Sequence, residues 1–350
     1  MSWIRGARNV TRDFLSKALG VPIKRFDVTP VNEGQSGSQV LRISLKAEGE
    51  APPSLILKVA NPAQIAPHLV AFDPNLSGRE FEVYRRLLPE LAIAHAHVYA
   101  SAIHPETGES WLLLEDLEPS YRFHPDDHVW SEEEIRAILS LYAELHSAVW
   151  RGRTRLADHD YLSPFAQVAG YLEEAASYLE ALLSRAEVAA LLGVAGELVE
   201  CLWDQLPIWA EELAAGPLTV TYNDFYPPNC GVSADGRAVL IDWQLAGVGL
   251  PETDLGNVYS YGDNLAALPF EARVDHYLAE VERLSGVALA RERFIEKDPR
   301  LVILEQLDSL PWLNALVERS LQRRGELTPQ AGAALRSFAT EVYQAYRQIW

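Results

Sequence analysis

The periodicity of the apolar residues changes once along the chain, near residue 118, and that change sets what the chain can fold into. Before it, short alternating runs are separated by turn residues; after it, apolar positions recur mostly every three or four residues. The segment TRDFLSKALG (11–20) reads as a short helix with Thr11 as N-cap and Gly20 as its stop. FDVTPVN (26–32), SQVLRISLKA (38–47) and SLILKVA (54–60) read as strands joined through EGQSG and EGEAPP, which predicts an antiparallel meander. GREFEVYRRLLPEL (78–91) has Phe81, Tyr84, Leu87 and Leu88 at helical spacing. Two further strands, HVYASAIH and SWLLLEDL, flank the turn PETGE.

The second half opens with SEEEIRAILSLYAELHSAVW, where Ser131 and Glu134 form a capping box ahead of Ile135, Ile138, Leu141, Tyr142 and Leu145. Further helical patterns run through 167–213, 270–285, 300–322 and 328–349. The expected fold class is therefore α+β: an N-terminal antiparallel sheet lobe with one main helix (1–117), which would bind a nucleotide, and a mostly helical C-terminal lobe (118–350), which would carry the catalytic loop and an acceptor pocket.

One strand-rich stretch interrupts the helical half: TYNDFYPPNCGVSADGRAVLIDWQ (221–244). Asp224 follows an apolar run, Asn229 comes five residues later, and Asp242 ends the next apolar run. This order matches the needs of phosphoryl transfer. A first carboxylate accepts or orients a substrate hydroxyl, and an Asn and a second carboxylate hold Mg²⁺ against nucleotide phosphates. Asp224 is the candidate catalytic residue, with Asn229 and Asp242 as metal ligands. The turn at Asp235-Gly236 predicts a hairpin that returns the end of the second strand to Asn229.

The N-terminal half holds matching nucleotide-binding candidates. NEGQSG (32–37) is a short glycine-containing loop, and Gly34, Gln35, Ser36 and Gly37 are the residues that would cover the phosphates, although an ordinary hairpin turn has the same composition. Lys58 interrupts the apolar strand LILKVA and needs either water or an anion. Its acidic partner is expected from the following helix, with Glu80 the first choice and Glu82 the alternative. At the junction of the halves, the backbone of Glu115, Asp116 and Leu117 in LLLEDLEP is the candidate contact for an adenine ring.

The ordered set resembles the aminoglycoside phosphotransferase and choline kinase-like group of small-molecule kinases, within the protein-kinase-like two-lobe fold. The resemblance runs from about residue 26 to 260 and is tightest in TYNDFYPPNCGV, VLIDWQLAGVG and PETDLGN. It implies that Asp224 is the catalytic base, that Asn229 and Asp242 bind Mg²⁺, that Lys58 and Glu80 form the phosphate-positioning pair, and that Asp254 is a structural brace for the catalytic loop. One departure stands out: the group commonly has His two residues before the catalytic Asp, where this chain has Tyr222. A Tyr ring fills the same space and offers a hydroxyl, so activity is expected to survive. The abbreviated glycine loop leaves ATP and GTP both open as donors.

Composition narrows the acceptor. With 30 basic and 49 acidic residues the net charge is −19, which repels nucleic acid and anionic membranes and favours cationic partners. A cationic acceptor such as an aminoglycoside is one reading compatible with that charge, with Glu305 and Asp308 as candidate pocket acids. Other readings are a kinase of a choline-, sugar- or homoserine-like metabolite, and a pseudokinase or nucleotide-sensing scaffold without turnover. A protein kinase is disfavoured, because Pro251-Glu252 begins nine positions after Asp242 and leaves no room for a long activation segment. Two cysteines, with no CxxC and no cluster with His at metal spacing, indicate neither a disulfide framework nor a zinc site, and a cytoplasmic location is expected.

Overall fold

A computed structural model describes residues 3–33, 38–65, 73, 75–259 and 262–350. The candidate phosphate loop Gly34, Gln35, Ser36 and Gly37 lies outside the described residues.

The first helix, α1 (Arg12–Leu19), begins where Thr11 Oγ1 accepts the Phe14 N–H at 3.1 Å and ends at Gly20, whose φ of 70° only glycine adopts freely. It packs on a five-stranded sheet made of β1 (Ile23–Glu33), β2 (Ser38–Ala47), β3 (Ser54–Ala60), β4 (Val98–Ile103) and β5 (Ser110–Glu115). Every pairing in this sheet is antiparallel, in the order β1-β2-β3-β5-β4. The expected meander therefore holds for the first three strands, after which β5 inserts between β3 and β4. The reason is visible in the residues: WLLL (111–114) is apolar and buried on both faces and takes an inner place, whereas β4 is only half-buried and takes the edge.

Helix α2 (Leu76–Glu82) continues into one π-helical turn, Val83–Leu87, closed by the Leu88 N–H on the Val83 carbonyl at 2.9 Å. The wide turn lets Phe81, Val83, Tyr84, Leu87 and Leu88 all enter the core.

In the second half a short strand, β6 (Tyr121–Phe123), precedes helix α3 (Glu132–Trp150), whose Ser131–Glu134 capping box forms as expected. The 167–213 pattern resolves into four shorter helices, α4 (Leu172–Leu183), α5 (Ala186–Leu192), α6 (Ala195–Glu200) and α7 (Leu206–Ala214), broken at Gly193 and before Pro207. Strands β7 (Thr219–Thr221), β8 (Cys230–Ser233), β9 (Ala238–Leu240) and β10 (Gly247–Gly249) frame the loops of the strand-rich stretch 221–244. Helices α8 (Pro251–Tyr259), α9 (Phe270–Ser285), α10 (Glu292–Ile295), α11 (Pro299–Asp308), α12 (Leu310–Arg324) and α13 (Pro329–Ile349) complete the chain. The helix expected over 300–322 is divided at Ser309, because Pro311 within the first turn of α12 cannot donate back to the preceding turn.

One apolar cluster runs continuously from α2 and β5 through α3 to the β8–β9 hairpin and α9, so the two lobes share a core at their junction. Separate clusters fill the space between α1 and the sheet and between α4–α7 and α11–α13. No described helix is long and apolar enough to cross a membrane.

Candidate active site

Lys58 points from the middle of β3 into the cleft between the lobes and is only 8% exposed. Its Nζ lies 2.6 Å from Glu80 Oε2 and 2.8 Å from Asp242 Oδ1. An ammonium at this depth is tolerated only with compensating anions. Burial alone would lower its pKa, yet the Glu80 and Asp242 carboxylates hold it above the ordinary range. Glu80 also accepts the Trp243 backbone N–H. The sequence choice of Glu80 is thus the geometry observed, and the alternative, Glu82, pairs instead with Arg86 at 3.6 Å.

The β8–β9 hairpin does what its turn residues predict. Gly236 takes φ of 79°, and the Ile241 N–H donates to the Asn229 carbonyl at 3.0 Å, bringing the end of β9 back beside Asn229. Asn229 Nδ2 faces Asp224, 3.3 Å from its Oδ2 and 3.4 Å from its carbonyl oxygen. That orientation leaves the amide oxygen of Asn229 and the second carboxylate oxygen of Asp242 as the oxygen donors of the cleft, a set suited to a hard cation such as Mg²⁺. Among the described residues Asp224 has no ion pair with a basic side chain, and the nearby Lys58 charge offsets only part of what raises its pKa. Burial first, and the Asp242 charge second, push its pKa up to about 8.

The loop that carries Asp224 is braced from below. Asp254, fully buried at the start of α8, accepts the backbone N–H of Tyr222 at 2.6 Å and of Asn223 at 2.8 Å, and its Oδ2 is 3.1 Å from His146 Nε2. His146 Nδ1 is in turn hydrogen-bonded to the Tyr277 hydroxyl at 2.8 Å, so this histidine is a satisfied core residue, as its place on the apolar face of α3 suggests. Tyr222 fills the position where the related kinases commonly carry His. Its ring is fully buried edge-on to Trp243, with centroids 5.0 Å apart, and its hydroxyl donates to the Ile241 carbonyl, tying the Asp224 loop to the strand end that carries Asp242.

Backbone strain is concentrated here. Asn223 and Asp242 both have φ of 61°, two of the three positive-φ residues other than glycine among the described residues. Gly247 is required by close approach: a Cβ there would meet Asn223 Nδ2 at 2.9 Å and the Ser163 carbonyl at 3.0 Å.

At the lobe junction, the Glu115 N–H bonds the His97 carbonyl at 2.9 Å, and the Leu117 carbonyl accepts the N–H groups of Ser120 and Tyr121. The Asp116 side chain is engaged by Arg42 Nε at 2.9 Å. A base held at this junction therefore has to use the remaining backbone groups of the three.

Arg79 escaped the sequence reading. It is 1% exposed and binds the Tyr161 carbonyl through Nε, the Gln244 carbonyl through Nη1 (both 2.9 Å) and Asp73 through Nη2. It ties α2, and hence Glu80, to the segment following Asp242. The only signal was a charged residue beside Glu80 within a helix of otherwise regular pattern.

Glu305 and Asp308 stand on α11. Glu305 Oε2 pairs with Lys297, while its Oε1 is buried without a hydrogen-bond partner. Glu252 Oε1 is bound by Arg293 and its Oε2 is likewise unpartnered. Asp308 accepts the Val168 N–H at 2.5 Å, and burial raises its pKa to about 7 despite that bond.

The family model described as the phosphotransferase enzyme family matches residues 27–289. No curated protein matches the chain. Among solved structures, choline kinase LicA from Streptococcus pneumoniae superposes with a TM-score of 0.55 at 15% identity, over 95% of this chain and 97% of its own. The microcompartment-associated aminopropanol kinase gives 0.54 at 16%, over 93% of each chain. A thermostable mutant of aminoglycoside phosphotransferase APH(4)-Ia, in ternary complex with AMP-PNP and hygromycin B, gives 0.52 at 15%, over 95% of this chain and 98% of its own. Identities this low establish a shared kinase-like two-lobe α+β fold, and the family match, which spans well over half of the sequence, goes further: the chain belongs to the phosphotransferase enzyme family.

Proposed function

We propose that the protein is a small-molecule kinase that moves the γ-phosphoryl group of ATP, or of GTP, to a hydroxyl of a small acceptor. The observation that carries this reading is Lys58 held between Glu80 of one lobe and Asp242 of the other, at 2.6 and 2.8 Å. This is the arrangement that presents an ammonium to nucleotide phosphates only when both lobes are correctly placed.

In this reading residues 1–117 bind the nucleotide and 118–350 carry the catalytic loop and acceptor pocket. Gly34, Gln35, Ser36 and Gly37 would cover the phosphates, and the Glu115–Leu117 backbone would meet the base. Asn229 and Asp242 would hold Mg²⁺, which would neutralise the charge that develops on the phosphoryl group as it passes from the nucleotide to the acceptor. Asp224 orients the acceptor hydroxyl and takes its proton. Its raised proton affinity, near 8 before ligands bind, suits a group that must receive a proton near neutral pH. Asp254, His146 and Tyr222 position that loop and touch no reactant.

The acceptor is proposed to be cationic. The chain carries −19, and Glu252 and Glu305 each hold one unpartnered carboxylate oxygen, with Glu305 near both Glu252 and Asp308. A cytoplasmic enzyme is the matching location, with Cys201 and Cys230 both free. The test is coupled ADP release with MgATP and MgGTP against pooled acceptors (aminoglycosides, macrolides, choline and ethanolamine, simple sugars, homoserine), beside Asp224→Asn. Acceptor-stimulated release that the variant lacks supports the kinase. MgATP binding with no turnover from any pool would instead make the protein a nucleotide-sensing scaffold.

A further inference from the structure

Behind the catalytic hairpin lies a cluster of ligating side chains that phosphoryl transfer does not use. His124 and His128 follow β6, and Glu134 is the third residue of α3. His124 Nε2 is 3.0 Å from Glu134 Oε1, and His128 Nε2 is 3.5 Å from Glu134 Oε2. One ligand atom from each of the three lies within 4.8 Å of the others. The imidazoles stack with centroids 3.5 Å apart and planes 1° from parallel, and Trp130 meets both edge-on. His128 Nε2 is buried and makes no hydrogen bond.

We propose that His124, His128 and Glu134 form a binding site for a borderline-soft divalent cation, with Zn²⁺ the fitting ion. Two imidazole nitrogens and one carboxylate oxygen select Zn²⁺ and its neighbours over Mg²⁺ and Ca²⁺, which demand oxygen ligands. Zinc bond lengths of about 2.0–2.1 Å in a tetrahedron set ligand atoms about 3.3 Å apart; here one ligand atom from each residue already lies within 4.8 Å of the others, with His124 Nε2 3.0 Å from Oε1 and His128 Nε2 3.5 Å from Oε2 of Glu134, so a small closure of the ligands reaches that spacing. Three protein ligands leave the fourth position to water. Parallel rings aim their lone pairs side by side, so closing on an ion takes a tilt of one ring. His128 is the ring free to tilt, with its side chain 26% exposed against 7% for His124.

The surrounding frame is built independently of any ion. The Trp130 N–H donates to the Asn264 carbonyl at 2.8 Å, and Asn264 Nδ2 donates to the carbonyls of His128 and Asp126. Phe123 pairs with Gly231, two residues after Asn229. An ion here fixes β6 to the start of α3 and thereby supports the hairpin that carries Asn229, as a structural site separate from the Mg²⁺ of the nucleotide.

The test is calorimetric titration of the chelator-stripped full chain with ZnCl₂ in excess Mg²⁺, beside His128→Ala and Glu134→Gln. The Gln variant preserves the capping box and the Ala variant removes a half-exposed ring, so both fold, as circular dichroism verifies. The expected result is one tight Zn²⁺ per chain with a higher melting temperature. Loss of an outer-shell partner already weakens such sites by about 10–100-fold, so loss of a direct ligand should weaken this one by about 100-fold or more in each variant. Absence of one-to-one binding, weak binding shared by all three proteins through surface histidines, or unchanged affinity in either variant overturns the proposal.

Discussion

Replacing Asp224 by Asn should lower turnover by about 10²–10⁴-fold and make the ligand-free protein more stable. The reasoning starts from its surroundings. Asp224 is partly buried, receives one long bond from Asn229, and has the Asp242 carboxylate near it with no cation of its own. Burial, then Asp242, raise its pKa from 3.8 to about 8, so in the folded state ionisation is disfavoured. A carboxylate whose folded pKa lies above its unfolded value costs stability as pH climbs between the two. Each tenfold change in proton affinity is worth about 1.4 kcal/mol, so at pH 7 the ceiling is about 4 kcal/mol. Solvent screening of a side chain that is not fully enclosed reduces this to about 1–3 kcal/mol.

Asn carries no charge at any pH and its oxygen still accepts from Asn229. The variant's advantage should therefore be nil near pH 4, open as pH rises, and level off above about pH 8. Urea unfolding in the presence of chelator across that range measures it, and ADP release measures the loss of turnover, about 10²–10⁴-fold for a removed general base. A variant less stable than the unmutated protein at pH 7, or a difference that does not change with pH, would refute the account of Asp224 as an unsatisfied carboxylate.

Lys58→Met should lower turnover by at least about 10²–10³-fold, because a fixed cation is lost from the phosphate cleft; it should also cost about 3–5 kcal/mol by leaving Glu80 and Asp242 without their cation, a cost that shrinks at low pH in denaturant titrations. Tyr222→Phe removes the donor from the partly buried Ile241 carbonyl and should cost about 1 kcal/mol, read as a lower melting temperature, with turnover reduced through the misplaced Asp242. Asp308→Asn should stabilise the chain at pH 8 and leave it unchanged near pH 4, since burial raises the Asp308 pKa from 3.8 to about 7 and the penalty on its charge builds up between those values and is complete above them. The same variant should raise the KM for a cationic acceptor while kcat for the bound acceptor is largely kept, and a neutral acceptor should show no such shift.

The sheet lobe was legible because its strands are bounded by strong turn residues: Ser38–Ala47 and Ser54–Ala60 coincide with the alternating runs that predict them. The long helices α3 and α9 were legible for the same local reason. What escaped were features decided by distant partners. The order β3-β5-β4 depends on which strand is apolar on both faces, and β6 is three residues long and exists because β8 offers it an edge. Arg79 carries no local signature, since its three partners lie between six and 165 residues away. Within the candidate site, Lys58, Glu80, Asp224, Asn229 and Asp242 could be ordered from sequence because strand ends, turns and one helix fix them locally. The pairing of Glu252 with Arg293 could not, because it joins helices 41 residues apart.

Asp224 and Asp254 show why residue type alone does not separate a reacting carboxylate from a scaffold. Both belong to the same loop system, and both are withdrawn from bulk water. Asp254 receives two backbone N–H donors and lies beside His146, so its lone pairs are filled and its position is fixed. Asp224 receives one long bond and faces Asp242, so it is left basic and open. The two states depend on each other. Holding Asn223 at φ of 61° costs energy that an isolated loop would relax, and the bonds from the Tyr222 and Asn223 N–H groups to Asp254 oppose that relaxation. The well-satisfied carboxylate thus holds the poorly satisfied one in the cleft, the position that the proposed proton transfer from a hydroxyl requires.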